Sequence, residues 1–197
     1  MIHQALQNLL DELEAFGQSN DQTNVDRPRR MLNITRDTGE FLSVMVRAAS
    51  ARQILEIGTS NGYSTLWLAS AAQAIQGHVT TIEQSEFKIS LAVRNFERSG
   101  LSGTISQVQG DAGDFFKKEK NRRFDLVFLD AERCAYPDWW PDIRRVLRPG
   151  GLLVVDNATS HAAELEPFRA LVSADAEFAT CTVPVGNGEF LATRAVR

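Results

Sequence analysis

The chain has 197 residues, 43% of them hydrophobic and 23% charged, with 21 Lys and Arg against 25 Asp and Glu for a formal net charge of −4. That length and balance suit one soluble globular domain with a sizeable core and argue against extended disorder, collagen-like repeats and coiled coils. A mildly acidic chain sets no electrostatic trap for a phosphate backbone or an anionic membrane, so neither nucleic acid nor membrane is an expected partner.

Met1 to Gln4 shows no basic flank followed by an apolar stretch, and no window reaches the ~20 apolar residues that a membrane span needs. Cys134 and Cys181 form no C-x-x-C pair and have no His at metal-ligand spacing. The expectation is therefore a cytoplasmic protein without a disulfide framework or a zinc site.

Ile2, Leu6, Leu9, Leu10, Leu13 and Phe16 recur at helical spacing and predict an amphipathic first helix with one stripe on the core. Residues 17–30 turn polar, end in Arg27-Pro28-Arg29-Arg30 and read as a surface connection, its basic cluster solvated or, on a second reading, anion-binding. A second helix is predicted to start near Thr35 to Thr38, with Phe41, Leu42, Met45, Val46 and Ala49 on one face and a hydroxyl or Asp37 as cap. From Gln53 the pattern changes. Short apolar runs at 54–57, 78–82, 104–108, 124–129 and 152–155 alternate with helical stretches, the last of them predicted around Glu164 to Val172. This is the rhythm of parallel strands joined by crossover helices. Gly100, Pro149-Gly150-Gly151 and Gly186-Asn187-Gly188 mark helix ends and turns, and the last separates 178–183 from 189–193, so the sheet should finish in an antiparallel hairpin. The expected fold is α/β and Rossmann-like: a doubly wound, seven-stranded, mostly parallel sheet with helices on both faces. One domain would cover 1–197, with 1–50 as a helical cap segment and 51–197 as the core.

The chemistry concentrates at strand ends. Leu55-Glu56-Ile57-Gly58-Thr59-Ser60-Asn61-Gly62-Tyr63-Ser64 is a strand running into a glycine-bracketed loop and a helix whose free N–H groups can bind an anion. It departs from the nicotinamide fingerprint, because Ser60 stands at the second glycine, and it has no Walker lysine. Glu83 closes the second strand, where an acidic side chain can accept both ribose hydroxyls of a nucleoside. Asp111 follows the third strand as a helix cap, an adenine contact, or both. Asp130 ends one strand and Asp156-Asn157 the next, so adjacent parallel strands would gather three oxygen ligands suited to Mg²⁺, with Mn²⁺ or Ca²⁺ as alternatives.

With Phe124-Asp125-Leu126-Val127-Phe128-Leu129-Asp130-Ala131, Leu147-Arg148-Pro149-Gly150-Gly151 running on to Asp156-Asn157, and Val183-Pro184-Val185-Gly186-Asn187-Gly188, the chain from about Met31 onward resembles class I S-adenosylmethionine (SAM) methyltransferases. It is most similar to the cation-dependent O-methyltransferases that include the catechol and caffeoyl-CoA enzymes. The resemblance implies a SAM site formed by Glu56, Gly58, Thr59, Ser60, Gly62, Tyr63, Ser64, Glu83, Gln84, Asp111, Ala112 and Asp130. In it Ser64 would meet the methionine carboxylate, Glu83 the ribose, and Asp111 with Ala112 the adenine. It also implies metal ligands at Asp130, Asp156 and Asn157, and a small, aromatic, catechol-like acceptor.

Two departures from the family stand out. The family lysine three residues beyond the first metal aspartate is replaced by Arg133, which stays charged near neutral pH and cannot act as a base. Proton removal would then fall to metal and solvent, or to another base such as His161. Alternatively Arg133 pairs with Asp130 or Asp156 and replaces the metal. Second, the segment after Asn157 is short, so the N-terminal segment could shape the acceptor pocket, and Arg29 and Arg30 could meet an anionic substrate. Tyr136, Trp139 and Trp140 are candidates for an aromatic wall. A nicotinamide oxidoreductase and a non-catalytic SAM-binding protein are the readings from other classes, and a homodimer using the first helix is compatible with the pattern.

Overall fold

In the computed structural model, which describes residues 3–196, α1 spans Gln4–Thr23 and buries Leu6, Leu9, Leu10, Leu13 and Gly17. Ile2, expected on that stripe, lies outside the described residues. Phe16, also expected on it, is 43% exposed. After Leu13 the stripe passes to the residue four positions on, Gly17. There Asn33 crosses so closely that a Cβ would lie 2.4 Å from its Nδ2. The helix also outruns its expected end. Asp21 accepts from the backbone N–H groups of Met31 at 2.6 Å and Leu32 at 2.8 Å, a tertiary anchor that holds the polar last turn in place. The surface connection is correspondingly short and contains one tight turn at Arg27–Arg29. Helix α2 (Arg36–Ala48) starts where expected, with the Thr35 hydroxyl accepting from the N–H of Thr38, a cap worth about 1 kcal/mol.

The strands are β1 (Gln53–Ile57), β2 (His78–Glu83), β3 (Ile105–Gln109), β4 (Phe124–Leu129), β5 (Leu147–Val155), β6 (Phe178–Val183) and β7 (Glu189–Arg194). Between them run α3 (Tyr63–Gln73), α4 (Glu86–Ser99), α5 (Ala112–Lys118), α6 (Tyr136–Val146) and α7 (Ala162–Ala174). All seven strands form one sheet in the order β3-β2-β1-β4-β5-β7-β6. The first five are parallel to one another, and β7 is antiparallel to both β5 and β6, the expected closing hairpin. One boundary differs from expectation: Pro149-Gly150-Gly151 lies inside β5 and not at its start. Proline has no N–H for the ladder, and the pairing with β4 shifts register between Phe124 and Leu126.

Successive strand residues face opposite layers. Ile54, Leu126, Phe128, Leu152 and Val154 pack with α1 to α4, whereas Leu55, Ile57, Val127, Leu129, Leu153 and Val155 pack with α5 to α7. From β1 the chain winds outward through β2 and β3, then returns to place β4 on the other side of β1. The crevice at the carboxyl ends of β1 and β4 is thus the switch point, where open α/β sheets bind ligands. Among the described residues no helix is long and apolar enough to cross a membrane.

Candidate functional site

A cleft of about 970 Å³ opens at this switch point. Its floor is set by one close approach. Gly58 follows β1 with φ +103° and donates its N–H to the Ile82 carbonyl at 3.0 Å, while the Asp130 N–H donates to the Ile57 carbonyl at 3.0 Å. A Cβ on Gly58 would lie 2.0 Å from the Asp130 carbonyl oxygen, so only glycine fits. The loop then rises to Ser60, whose N–H donates to Glu83 Oε2 at 2.9 Å and whose hydroxyl donates to the Met31 carbonyl at 2.6 Å. Glu83 Oε1 accepts from the N–H groups of Gln84 at 3.0 Å and Ser85 at 2.9 Å. Asp111 caps α5, accepting from the Asp114 N–H at 3.0 Å, and also receives the Gln84 amide at 2.9 Å. These carboxylates are rigid before any ligand arrives.

Every residue expected on the SAM side lines this cleft except Glu56 and Gly62. Gly62 caps α3 behind the wall, against Phe96. Glu56 is fully buried on the α3 side of the sheet and accepts from the hydroxyls of Ser64 at 2.6 Å, Thr65 at 2.5 Å and Thr81 at 2.6 Å. It fastens β1 to α3 and β2 instead of facing a ligand, and it occupies the Ser64 hydroxyl, which leaves backbone N–H groups at the start of α3 as the donors for an anion. Burial pushes the Glu56 carboxyl up to about 7 against the three hydroxyls.

That shift sets a pH dependence. The folded value exceeds the 4.5 of an ordinary glutamate, so the stabilisation tied to protonated Glu56 is complete below 4.5 and is lost as pH rises through about 7. Glu56→Gln is expected to shrink the stability loss between pH 5 and 8 by up to about 3 kcal/mol. Urea unfolding at the two pH values checks this, and an unchanged loss in the variant would contradict it.

The acidic half of the cleft sits at the ends of β4 and β5. Asp130 and Asp156 both line it, together with Asn157, whose backbone is left-handed at φ 65°. The Asp156 N–H donates to the Leu129 carbonyl at 3.1 Å, and the Asn157 amide donates to Asp156 Oδ2 at 2.5 Å and receives the Ser160 hydroxyl at 3.2 Å. Burial, then the charge of Asp156, holds Asp130 well above the usual carboxylate range, and burial raises Asp156. A half-buried Asp130 and a buried Asp156 that raises it, with an amide beside them, form an oxygen donor set that fits a hard divalent cation. Among the described residues no three His, Cys, Asp or Glu side chains are grouped to hold a metal ion, so Asn157 would have to complete the set.

Sequence reasoning missed Glu189. It is fully buried and accepts from the Thr38 hydroxyl at 2.9 Å. Burial, then the charge of Asp156, pushes its carboxyl up to about 10, and the Thr38 hydrogen bond ties this end of β7 to α2. The signal was the hairpin register: Val155 pairs with Phe190, which sets Glu189 beside Asp156.

Arg133 lines the cleft, but its ion pair corrects the expectation. It reaches Glu164 of α7 at 3.6 Å, not Asp130 or Asp156. Arg29 and Arg30 do not line the cleft either. Arg29 stacks on Phe87 at 5.6 Å and Arg30 donates to the Asn24 carbonyl at 2.8 Å, which leaves Arg27 as the wall residue of that cluster. Trp139 and His161 line the cleft, with His161 Nδ1 2.9 Å from the Ser160 hydroxyl. Trp140 and Tyr136 are core. The Tyr136 hydroxyl accepts from the Ala131 N–H at 2.7 Å and donates to its carbonyl at 3.0 Å, fixing the turn that joins Asp130 to Arg133.

Comparison with known proteins gives a consistent picture. A family model described as O-methyltransferase matches residues 6–195. A catechol O-methyltransferase of Mycobacterium tuberculosis is 38% identical over 127 residues, 63% of this chain and 56% of that protein. One from Niastella koreensis is 33% identical over 129 residues, 64% of this chain and 58% of that protein. The chain thus matches little more than half the length of these two relatives. The O-methyltransferase from Bacillus cereus, solved in complex with SAH, superposes with a TM-score of 0.80 at 26% identity, covering 95% of this chain and 90% of its own.

Proposed function

The chain belongs to the O-methyltransferase family, and from that premise we propose that it transfers a methyl group from SAM to a hydroxyl of a small, catechol-like acceptor with the help of a divalent cation. The observation that carries this reading is the shared cleft. Gly58, Ser60, Glu83 and Asp111 line one end and Asp130, Asp156 and Asn157 the other, at the carboxyl edge of one sheet. The solved relative from Bacillus cereus holds SAH, which is SAM without its methyl group.

Methyl transfer is an in-line displacement at a sulfonium carbon, so the protein's work is alignment. Glu83, already braced by three backbone N–H groups, keeps one lone-pair site, on Oε2, for a ribose hydroxyl. Asp111 and Ala112 border the adenine end, and the start of α3 faces the carboxylate. A cation held by Asp130, Asp156 and Asn157 would orient two neighbouring acceptor oxygens and lower their pKa. Trp139 offers a flat apolar wall to an aromatic ring. Met31, buried and bonded through its carbonyl to Ser60, lines the cleft from the N-terminal side. Arg133 stays charged, so the acceptor proton leaves to solvent or to His161, the histidine on the wall.

The test is a calorimetric titration of SAM into the protein with catechol present, run with Mg²⁺ and with a chelator. Micromolar binding that strengthens with Mg²⁺, accompanied by methylated catechol, is the expected result. No SAM binding would end the reading, and turnover indifferent to the chelator would remove the cation from it. Glu83→Ala is expected to weaken SAM by about 1–3 kcal/mol through loss of charge-assisted hydrogen bonds. The same titration reads it, and an unchanged affinity would displace the ribose from Glu83.

A further inference from the structure

One charged side chain in the cleft has more donors than partners. Arg133 is 9% exposed, and its single ion contact among the described residues is an Nη1 to Glu164 separation of 3.6 Å, longer than a hydrogen bond. Glu164 is itself 61% exposed, and a carboxylate in water holds a guanidinium weakly. The Arg133 Nε is buried and has no hydrogen-bond partner among the described residues. A buried guanidinium N–H without a partner is costly. The turn carrying it is nonetheless pinned by the Tyr136 hydroxyl to both backbone groups of Ala131, so the side chain is held at the cleft wall.

We propose that Arg133 binds an anionic oxygen of the methyl acceptor, making the favoured substrates catechols that carry negative charge. This rests on the function proposed above, because it uses the acceptor end of the same cleft. Cation, Asp130 and Asp156 together would sum to no net charge beside the acceptor, while Arg133 adds one positive charge whose ion partner among the described residues is the exposed Glu164. Guanidinium is also the side chain whose planar donors match a carboxylate. The anionic oxygen is either a carboxylate substituent on the ring or the ionised hydroxyl itself.

The test is equilibrium binding of catechol and of a dihydroxybenzoate to the SAH- and Mg²⁺-loaded protein, and again without SAH, in wild type, R133Q and E164Q. If the anionic oxygen is a ring carboxylate, wild type is expected to favour the dihydroxybenzoate by about 10- to 100-fold, and R133Q to erase that preference. If the carboxylate is the partner, the preference stays flat between about pH 6 and 8, since a carboxylate is ionised throughout. If the ionised hydroxyl is the partner, catechol binding tightens as pH rises in wild type, and R133Q flattens that slope toward the part the cation alone supplies. E164Q should tighten anion binding by a few-fold, because it frees Arg133 from its competing carboxylate. A purely structural Arg133, tying the turn to α7, predicts that E164Q instead weakens binding as R133Q does. The proposal is overturned if R133Q leaves both preference and pH slope unchanged, if E164Q mimics R133Q, or if wild type binds neither compound. The function above fails on different readings, SAH binding and methyl transfer to neutral catechols, so the two failures are distinguishable.

Discussion

A Gly58→Ala protein is expected to melt roughly 6–12 °C below the wild type and to lose measurable SAM binding. The added Cβ would stand 2.0 Å from the Asp130 carbonyl oxygen and 2.9 Å from its carbon, both backbone atoms that no rotamer change can move. The backbone at φ +103° penalises any side chain as well. Strain from the left-handed conformation of about 1–2 kcal/mol, added to overpacking of about 1–3 kcal/mol, gives about 3 kcal/mol, and each kcal/mol lowers the midpoint by roughly 2–4 °C in a chain of this size. Relief comes only by prising the end of β1 from the end of β4, which displaces the loop to Ser60 and Asp130 together. Gly103→Ala is the control, since a Cβ there meets nothing within 4 Å; its effect should stay within about 0.5 kcal/mol. Equal melting temperatures for the two variants would show that the strand ends have room to part.

Features written in local pattern were legible from the chain itself, and those written by tertiary contact were not. Strands buried on both faces leave short apolar runs, so all seven were readable within a few residues, and Asp130 and Asp156 were readable as the residues that end two of them. The end of α1 was not, because Asp21 holds it through Met31 and Leu32, residues beyond the helix. Arg133 pairs with Glu164 through the packing of α7 over the turn after β4, which no spacing announces. Glu56 was a readable miss: strand alternation puts it on the same face as Ile54, toward α3, away from a ligand above the strand end. Glu189 required the hairpin register as well as the hairpin, since it meets Asp156 only because Val155 pairs with Phe190.

Replacing Asp130 by Asn is expected to reduce methyl transfer by about a thousandfold or more while raising the stability of the metal-free protein by about 1–2 kcal/mol. The two effects share one cause. Asp130 is desolvated and faces the charge of Asp156, so its carboxylate is held far from its preferred state in the folded protein. A cation would turn that repulsion into attraction, and the neutral amide removes both. Asp156, held by the Asn157 amide, would then be the sole anionic ligand, too weak a donor set for a hard cation. SAM affinity should stay within about threefold of wild type, because it is the Asp130 carbonyl, not its carboxylate, that abuts the Gly58 loop. Turnover, SAM titration and thermal melting in chelator read the three quantities on one sample. Loss of SAM affinity in step with turnover would merge the two halves of the cleft into one site. Retained turnover would place the acidic pair outside the reaction, and an unchanged melting temperature would mean that water already screens the two carboxylates from each other.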